Sequence, residues 1–229
     1  MCVSRRGLLG GFAALAGLAS ADIAIAQEPL CPSTRADIVV RPHLLQPGYD
    51  FSLATPDLTR ILATRAGPRG TLTQHGKLPA GLTTANFEWR SLITLDGSRN
   101  GRRGCMRPSR VEVDVRIIQH KVYVARDATQ VATCRREVVL EHENRHVRIN
   151  LECIDDAKRR IEQVLAAVVP TMPVMEGENI NPQVIGERYR QMLSRPVGDA
   201  FDGALAVANA RHAAMDTNEA YARDLSKCR

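Results

Sequence analysis

Between Arg135 and Val169 the chain has neither glycine nor proline. Both residues break helices, so their absence over that length leaves one long helix as the natural reading, with Pro170 as its stop. Aromatic residues are scarce, 4% of the chain, and none alternate with basic ones. That argues against a base-stacking nucleic-acid surface. No Cys-x-x-Cys spacing occurs, so the usual cysteine zinc site is not supported. The apolar run Gly7–Ala19 is shorter than the roughly 20 residues a membrane helix needs. No internal repeat or second domain is visible.

What the N-terminus does contain is an export pattern. Arg5 and Arg6 precede the apolar run, and Ala24-Ile25-Ala26 has the small-x-small form of a cleavage site. Residues 1–26 read as a signal peptide, and Ser4-Arg5-Arg6-Gly7-Leu8-Leu9 resembles a twin-arginine signal, with ordinary secretion as the alternative. Residues 27–229 remain as one domain, about 200 residues, enough for a proper core. The expected location is periplasmic or secreted. The formal charge of +6 falls to +5 once Arg5, Arg6 and Asp22 are removed, a mildly basic surface. Five cysteines lie beyond the export segment: Cys31, Cys105, Cys134, Cys153 and Cys228. An oxidising compartment and an odd count give two disulfides and one free thiol. Cys105 and Cys134 bracket an expected hairpin and are paired first, leaving Cys153 to take Cys31 or Cys228.

The pattern predicts an α+β fold: a small antiparallel sheet packed on a long helix, followed by C-terminal helices. Residues 36–41 read as a short strand, Thr55-Pro56-Asp57 as a helix start, and 66–77 as a loop. Residues 86–95 form a strand with Phe87, Trp89, Ile93 and Leu95 on one parity. Residues 96–104 read as a loop or tip. Residues 110–117 alternate apolar with charged, and 121–126 nearly do, which predicts an antiparallel hairpin joined at Gln119-His120. Leu140, Val147, Leu151, Ile154, Ile161, Leu165 and Val168 give the long helix a core-facing stripe. Residues 175–181 read as loop. Asn181-Pro182 opens a helix that ends at Pro196-Val197-Gly198, and another covers 199–214.

On the long helix lies His142-Glu143-Asn144-Arg145-His146, which reads H-E-x-x-H. Histidines four apart project from one helix face and can share one zinc ion. Glu143 is then placed to take a proton from water activated by that ion. The plainer alternative is an exposed helix that happens to carry two histidines. A catalytic zinc usually has three protein ligands, so one more is needed. Glu152 is badly angled on an unbroken helix. Glu187, Asp199, Asp202, Asp216, Glu219 and His212 are the other candidates. The dense Asp216–Glu219 cluster is favoured, with Glu219 taken as the ligand and Tyr221 behind it as a transition-state donor. The rival for that cluster is a helix start, with Asp216 or Thr217 as N-cap and Glu219 in the first turn.

The H-E-x-x-H segment resembles the zinc-peptidase signature of the zincins. The secretory start, the strand pair around Val111–Val124, residues 141–149 and the closing 215–221 are similar to small secreted bacterial proteins of that type. The resemblance implies Zn2+ as cofactor, His142 and His146 as ligands, and Glu143 as general base. It implies a peptide or protein substrate, with an edge of the 111–124 strands open for pairing. Arg145 and Arg148 depart from the family's preference for uncharged residues there. The expectation is an exported zinc-dependent hydrolase, with no membrane span and no nucleic-acid partner. The alternative is an envelope protein that binds zinc without catalysis.

Overall fold

A computed structural model describes residue 31 and residues 35–64, 79–129 and 133–228. The expected export segment and the expected 66–77 loop lie outside the described residues. The chain runs β1 (Asp37–His43), β2 (Gly48–Asp50), α1 (Thr55–Thr64), β3 (Gly81–Asn100), β4 (Arg103–Val124), α2 (Arg126–Thr129) and α3 (Thr133–Val168). After a 3-10 turn come β5 (Met175–Glu178), α4 (Pro182–Met215) and α5 (Asn218–Leu225), and a last 3-10 turn ends at Cys228.

β4 is the strand on which the sheet is built. β3 pairs with it antiparallel along nearly its whole length, turning at Gly101, whose φ of 60° suits a residue without Cβ. β5 pairs antiparallel with its first residues. β1 and β2, however, run parallel to β4, with Ile38 opposite Val111 and Tyr49 opposite Val122. This corrects the expected small antiparallel sheet: the sheet has five strands, and two of them lie parallel to β4. A parallel neighbour needs a long crossover, which here is the α1–β3 segment between β2 and β4. Nothing in the short runs 37–43 and 48–50 announces that direction.

The expected hairpin within 110–126 is likewise corrected. Residues 103–124 form one strand, and its break is a bulge. Asn86 pairs with Gln119 and Phe87 with Ile117, so Ile118 is the extra residue. A bulge switches which parity faces inward. Accordingly Val111, Val113, Val115 and Ile117 are buried on odd numbers, and His120, Val122 and Val124 on even ones. The parity switch in the sequence imitated a turn. The segment expected as a tip, 96–104, is the end of the β3–β4 ladder, and the 175–181 loop contains β5.

α3 lays its stripe on the sheet. Ile154, Ala157, Ile161 and Leu165 are fully buried against Val111, Val113 and Val115. α4 covers the same core with Tyr189, Leu193, Val197, Phe201 and Leu205. It passes straight through Pro196, where two helices were expected. The buried i, i+4 ladder 189-193-197-201 crosses that point unbroken, and packing of this face outweighs the hydrogen bond the proline forfeits.

Among the described residues the disulfides are Cys31–Cys105 and Cys134–Cys228, each with Cα atoms 5.6 Å apart, and Cys153 is free and buried. The expected Cys105–Cys134 pair does not form: Cys105, near the start of β4, bonds Cys31, and Cys134, in the first turn of α3, bonds Cys228. Cys134–Cys228 ties the start of α3 to the end of the chain. Among the described residues no helix is long and apolar enough to cross a membrane.

Candidate metal centre

His142 and His146 lie one turn apart on the same face of α3, which the uninterrupted helical run makes possible. Facing them is the corner between α4 and α5. Asp216 is the C-cap of α4, and its N–H bonds the carbonyl of His212. Thr217 is the N-cap of α5, its hydroxyl accepting from the N–H of Ala220. The chain therefore turns sharply at Asp216 and pushes that carboxylate inward.

Three atoms meet at this corner. His142 Nε2 is 2.9 Å and His146 Nε2 3.0 Å from Asp216 Oδ1, and the two Nε2 atoms are 3.2 Å apart. All three residues are buried, and together they form a group able to hold a metal ion. Tetrahedral zinc with bonds of about 2.0–2.1 Å separates its ligand atoms by about 3.3 Å. The observed triangle is close to that and slightly tighter. The other oxygen, Asp216 Oδ2, is buried with no hydrogen-bond partner among the described residues. A buried carboxylate oxygen left bare is costly unless a cation shares its charge. The donor set of two imidazoles and one carboxylate thus fits a divalent transition metal.

Both histidines of the group are held from behind. His142 Nδ1 is 3.3 Å from Asp224 Oδ2 on α5, and Arg145 makes a very short ion pair with the same oxygen. A carboxylate behind a ligating imidazole fixes its tautomer and raises its basicity. Tyr221 stacks on His142, ring centroids 4.5 Å apart. His146 Nδ1 meets His212 Nδ1 at 2.6 Å, and His212 Nε2 is 3.0 Å from Asn150 Oδ1.

Glu143 points to the other side of the ligand face, against the start of β3. Thr83 donates its hydroxyl to Glu143 Oε2 at 2.7 Å. A Cβ on Gly81 would lie 2.5 Å from Glu143 Oε1 and 2.8 Å from its Cγ, so that glycine makes the room for this side chain.

The charges are strongly coupled. Burial disfavours the His142 imidazolium, yet its hydrogen bonds to Asp216 and Asp224 and the nearby Glu143 charge hold its pKa above 6.5. Burial would raise Asp216, but the hydrogen bonds and charges of the two histidines pull it below its usual 3.8. Burial lifts Glu143 above the ordinary carboxyl range, partly offset by His146, His142 and Thr83. Burial and the surrounding carboxylates raise Tyr221, which keeps its proton. Burial drives His212 down to about 3, so it is neutral.

The sequence candidates for the third ligand lie at different places relative to this group. Asp216 joins the histidines. Glu219 does not: it is exposed in the first turn of α5, the helix-start role that was its rival reading. Glu152 pairs with Arg211 at 2.6 Å, away from the centre. Glu187 pairs with Arg190 and Asp199 with Arg195, both on the surface of α4, and Asp202 is exposed there too. His212 lies behind His146 rather than beside the triangle. Arg145, a departure from the family pattern, anchors Asp224, and Arg148 is exposed. Sequence reading did not single out Thr83, Asn150, His120 or Asp224. The available signals were spacings: His142, His146 and Asn150 recur every four residues on α3, and His212 and Asp216 are four apart on α4.

No protein-family model matches the chain, and no curated protein or solved structure matches it either.

Proposed function

We propose that this chain binds one zinc ion through His142, His146 and Asp216 and is an exported hydrolase of the zinc-peptidase type. The observation that carries the reading is the meeting of His142 Nε2, His146 Nε2 and Asp216 Oδ1 within 3.2 Å of one another, beside a bare Asp216 Oδ2. Three protein ligands leave a fourth position, the feature that separates catalytic from structural zinc. Zinc there supplies Lewis acidity, lowering the pKa of water to about 7. Glu143 acts as the general base: its carboxylate takes the proton of the attacking water and returns it to the leaving amine. Its raised pKa brings it nearer neutral pH, where such a base works best. Thr83 holds the Glu143 carboxylate in place through Oε2. Tyr221, kept protonated and stacked on His142, is a hydrogen-bond donor beside the centre. The two disulfides and the N-terminal pattern support work outside the cytoplasm.

One observation favours a second reading, a zinc protein without catalysis. His142 and Asp216 are 2% exposed, Glu143 2% and His146 3%, so the centre is closed. Glu143→Gln separates the two readings. The hydrolase reading expects peptide hydrolysis in the wild type, its loss in the variant, and zinc retained in both. A wild type that holds zinc but cleaves no peptide in a mixed peptide library supports the second. Two imidazoles and one carboxylate also suit iron(II). Metal analysis distinguishes it from zinc.

A further inference from the structure

Behind His146 runs a chain of buried polar side chains that the proposed chemistry does not use. His146 Nδ1 meets His212 Nδ1 at 2.6 Å; His212 Nε2 meets Asn150 Oδ1 at 3.0 Å; Asn150 Nδ2 meets His120 Nε2 at 3.3 Å; His120 Nδ1 meets the Leu45 carbonyl at 2.9 Å. His120 is 3% exposed, Asn150 0%, His212 4% and His146 3%, so water offers no substitute partners. The members come from α3, α4, β4 and the β1–β2 connection, and so bind the helices to the sheet.

The direction of every bond follows from its last member. A carbonyl oxygen only accepts, so His120 Nδ1 carries a proton and donates it to Leu45. A neutral His120 then has a bare Nε2, which must accept, so the amide nitrogen of Asn150 faces it. The Asn150 oxygen is thereby turned to His212 Nε2, which must donate. His212 Nδ1 is left bare and must accept from His146 Nδ1. His146 therefore carries its proton on Nδ1 and turns the lone pair of Nε2 toward Asp216 Oδ1, 3.0 Å away. Two acceptors at that distance must share a metal ion or, in its place, a proton.

We infer that His120, Asn150 and His212 form a one-way hydrogen-bond relay, anchored on the Leu45 carbonyl, that fixes His146 in the tautomer a metal ion requires. These three are positioning residues; none touches the ion. The inference rests on the metal reading above and names what orients one of its ligands. It also explains why an asparagine stands at zero exposure on a helix. Its amide accepts through the oxygen on one side and donates through the nitrogen on the other without changing charge.

Nitrogen-15 NMR of the histidine rings in the full chain, metal-free and zinc-loaded, tests the relay. The expected pattern is a proton on Nδ1 of His146 in both states, on Nε2 alone of His212, and on Nδ1 alone of His120. Asn150→Leu keeps the volume and removes both bonds. It is expected to mix the His212 tautomers and weaken zinc binding by about 10- to 100-fold in a competition titration. A bare His146 Nδ1, or a His212 proton on Nδ1, in the wild type overturns the relay, and that measurement needs no variant. A folded Asn150→Leu chain with wild-type tautomers and affinity overturns it as well. A wild type with the expected tautomers that takes up no zinc overturns the metal reading and with it the relay's purpose, while the polarity stands.

Discussion

Asp216 is the residue on which the centre turns. It carries one oxygen to both histidines and leaves the other bare. Asp216→Asn removes the charge and keeps the shape, and should weaken zinc binding by at least tenfold. Glu219→Gln, in an exposed first turn, should leave affinity unchanged; calorimetric titration of both variants checks the assignment. Glu143 depends on two β3 residues. Thr83→Val deletes a hydrogen bond to a charged group, worth about 1.5–3 kcal/mol. It should slow hydrolysis while zinc stoichiometry stays at one. Gly81→Ala places a methyl against Glu143 and Val139 Cγ1, 2.8 Å away. The variant should lose activity and some thermal stability, about 1–3 kcal/mol as overpacking usually costs. Unchanged activity in Gly81→Ala would mean Glu143 has no fixed role.

At the scale of elements, α5 closes the centre. It brings Tyr221 and Asp224 over His142, and its end is tied to the start of α3 by Cys134–Cys228, 94 residues apart in sequence. Replacing both cysteines by serine should destabilise the protein by about 2–5 kcal/mol. It should also weaken zinc binding, since Asp224 lies on the loosened helix and Asp216 just before it; melting temperature with and without zinc reads both effects. The elements also show what the sequence discloses. The α3 stripe and the two histidines were legible because helical periodicity needs only local information. The bulge at Ile118 was not, because a parity switch and a turn look alike along one strand. The directions of β1 and β2 depend on a partner more than 60 residues away. Glu219 was preferred over Asp216 because acid density says nothing of which carboxylate a helix corner turns inward. Pro196 misled for the opposite reason: a strong local signal was outweighed by the buried ladder around it.

For the whole molecule, the centre makes stability depend on pH in two opposed ways. His142 has its pKa raised above 6.5, so its contribution is present below 6.5 and fades as pH rises through the raised value. Asp216 is lowered beneath 3.8, so its contribution is present above 3.8 and fades as pH falls through the lowered value. The metal-free chain should therefore gain most from this pair between about pH 4 and 6.5. Zinc requires a neutral His142, so its stabilisation should grow as pH rises above that window. Melting curves across pH 4–9, with zinc and with chelator, should diverge upward from near neutrality. Parallel curves would contradict the ligand assignment. The test closest to the centre is an anomalous-difference map at the zinc edge on crystals of the metal-loaded protein, with zinc content measured on the same sample. We expect one zinc per chain, about 2.0–2.2 Å from His142 Nε2, His146 Nε2 and Asp216 Oδ1. A chain with no bound zinc, or zinc held by other residues, would contradict the centre described.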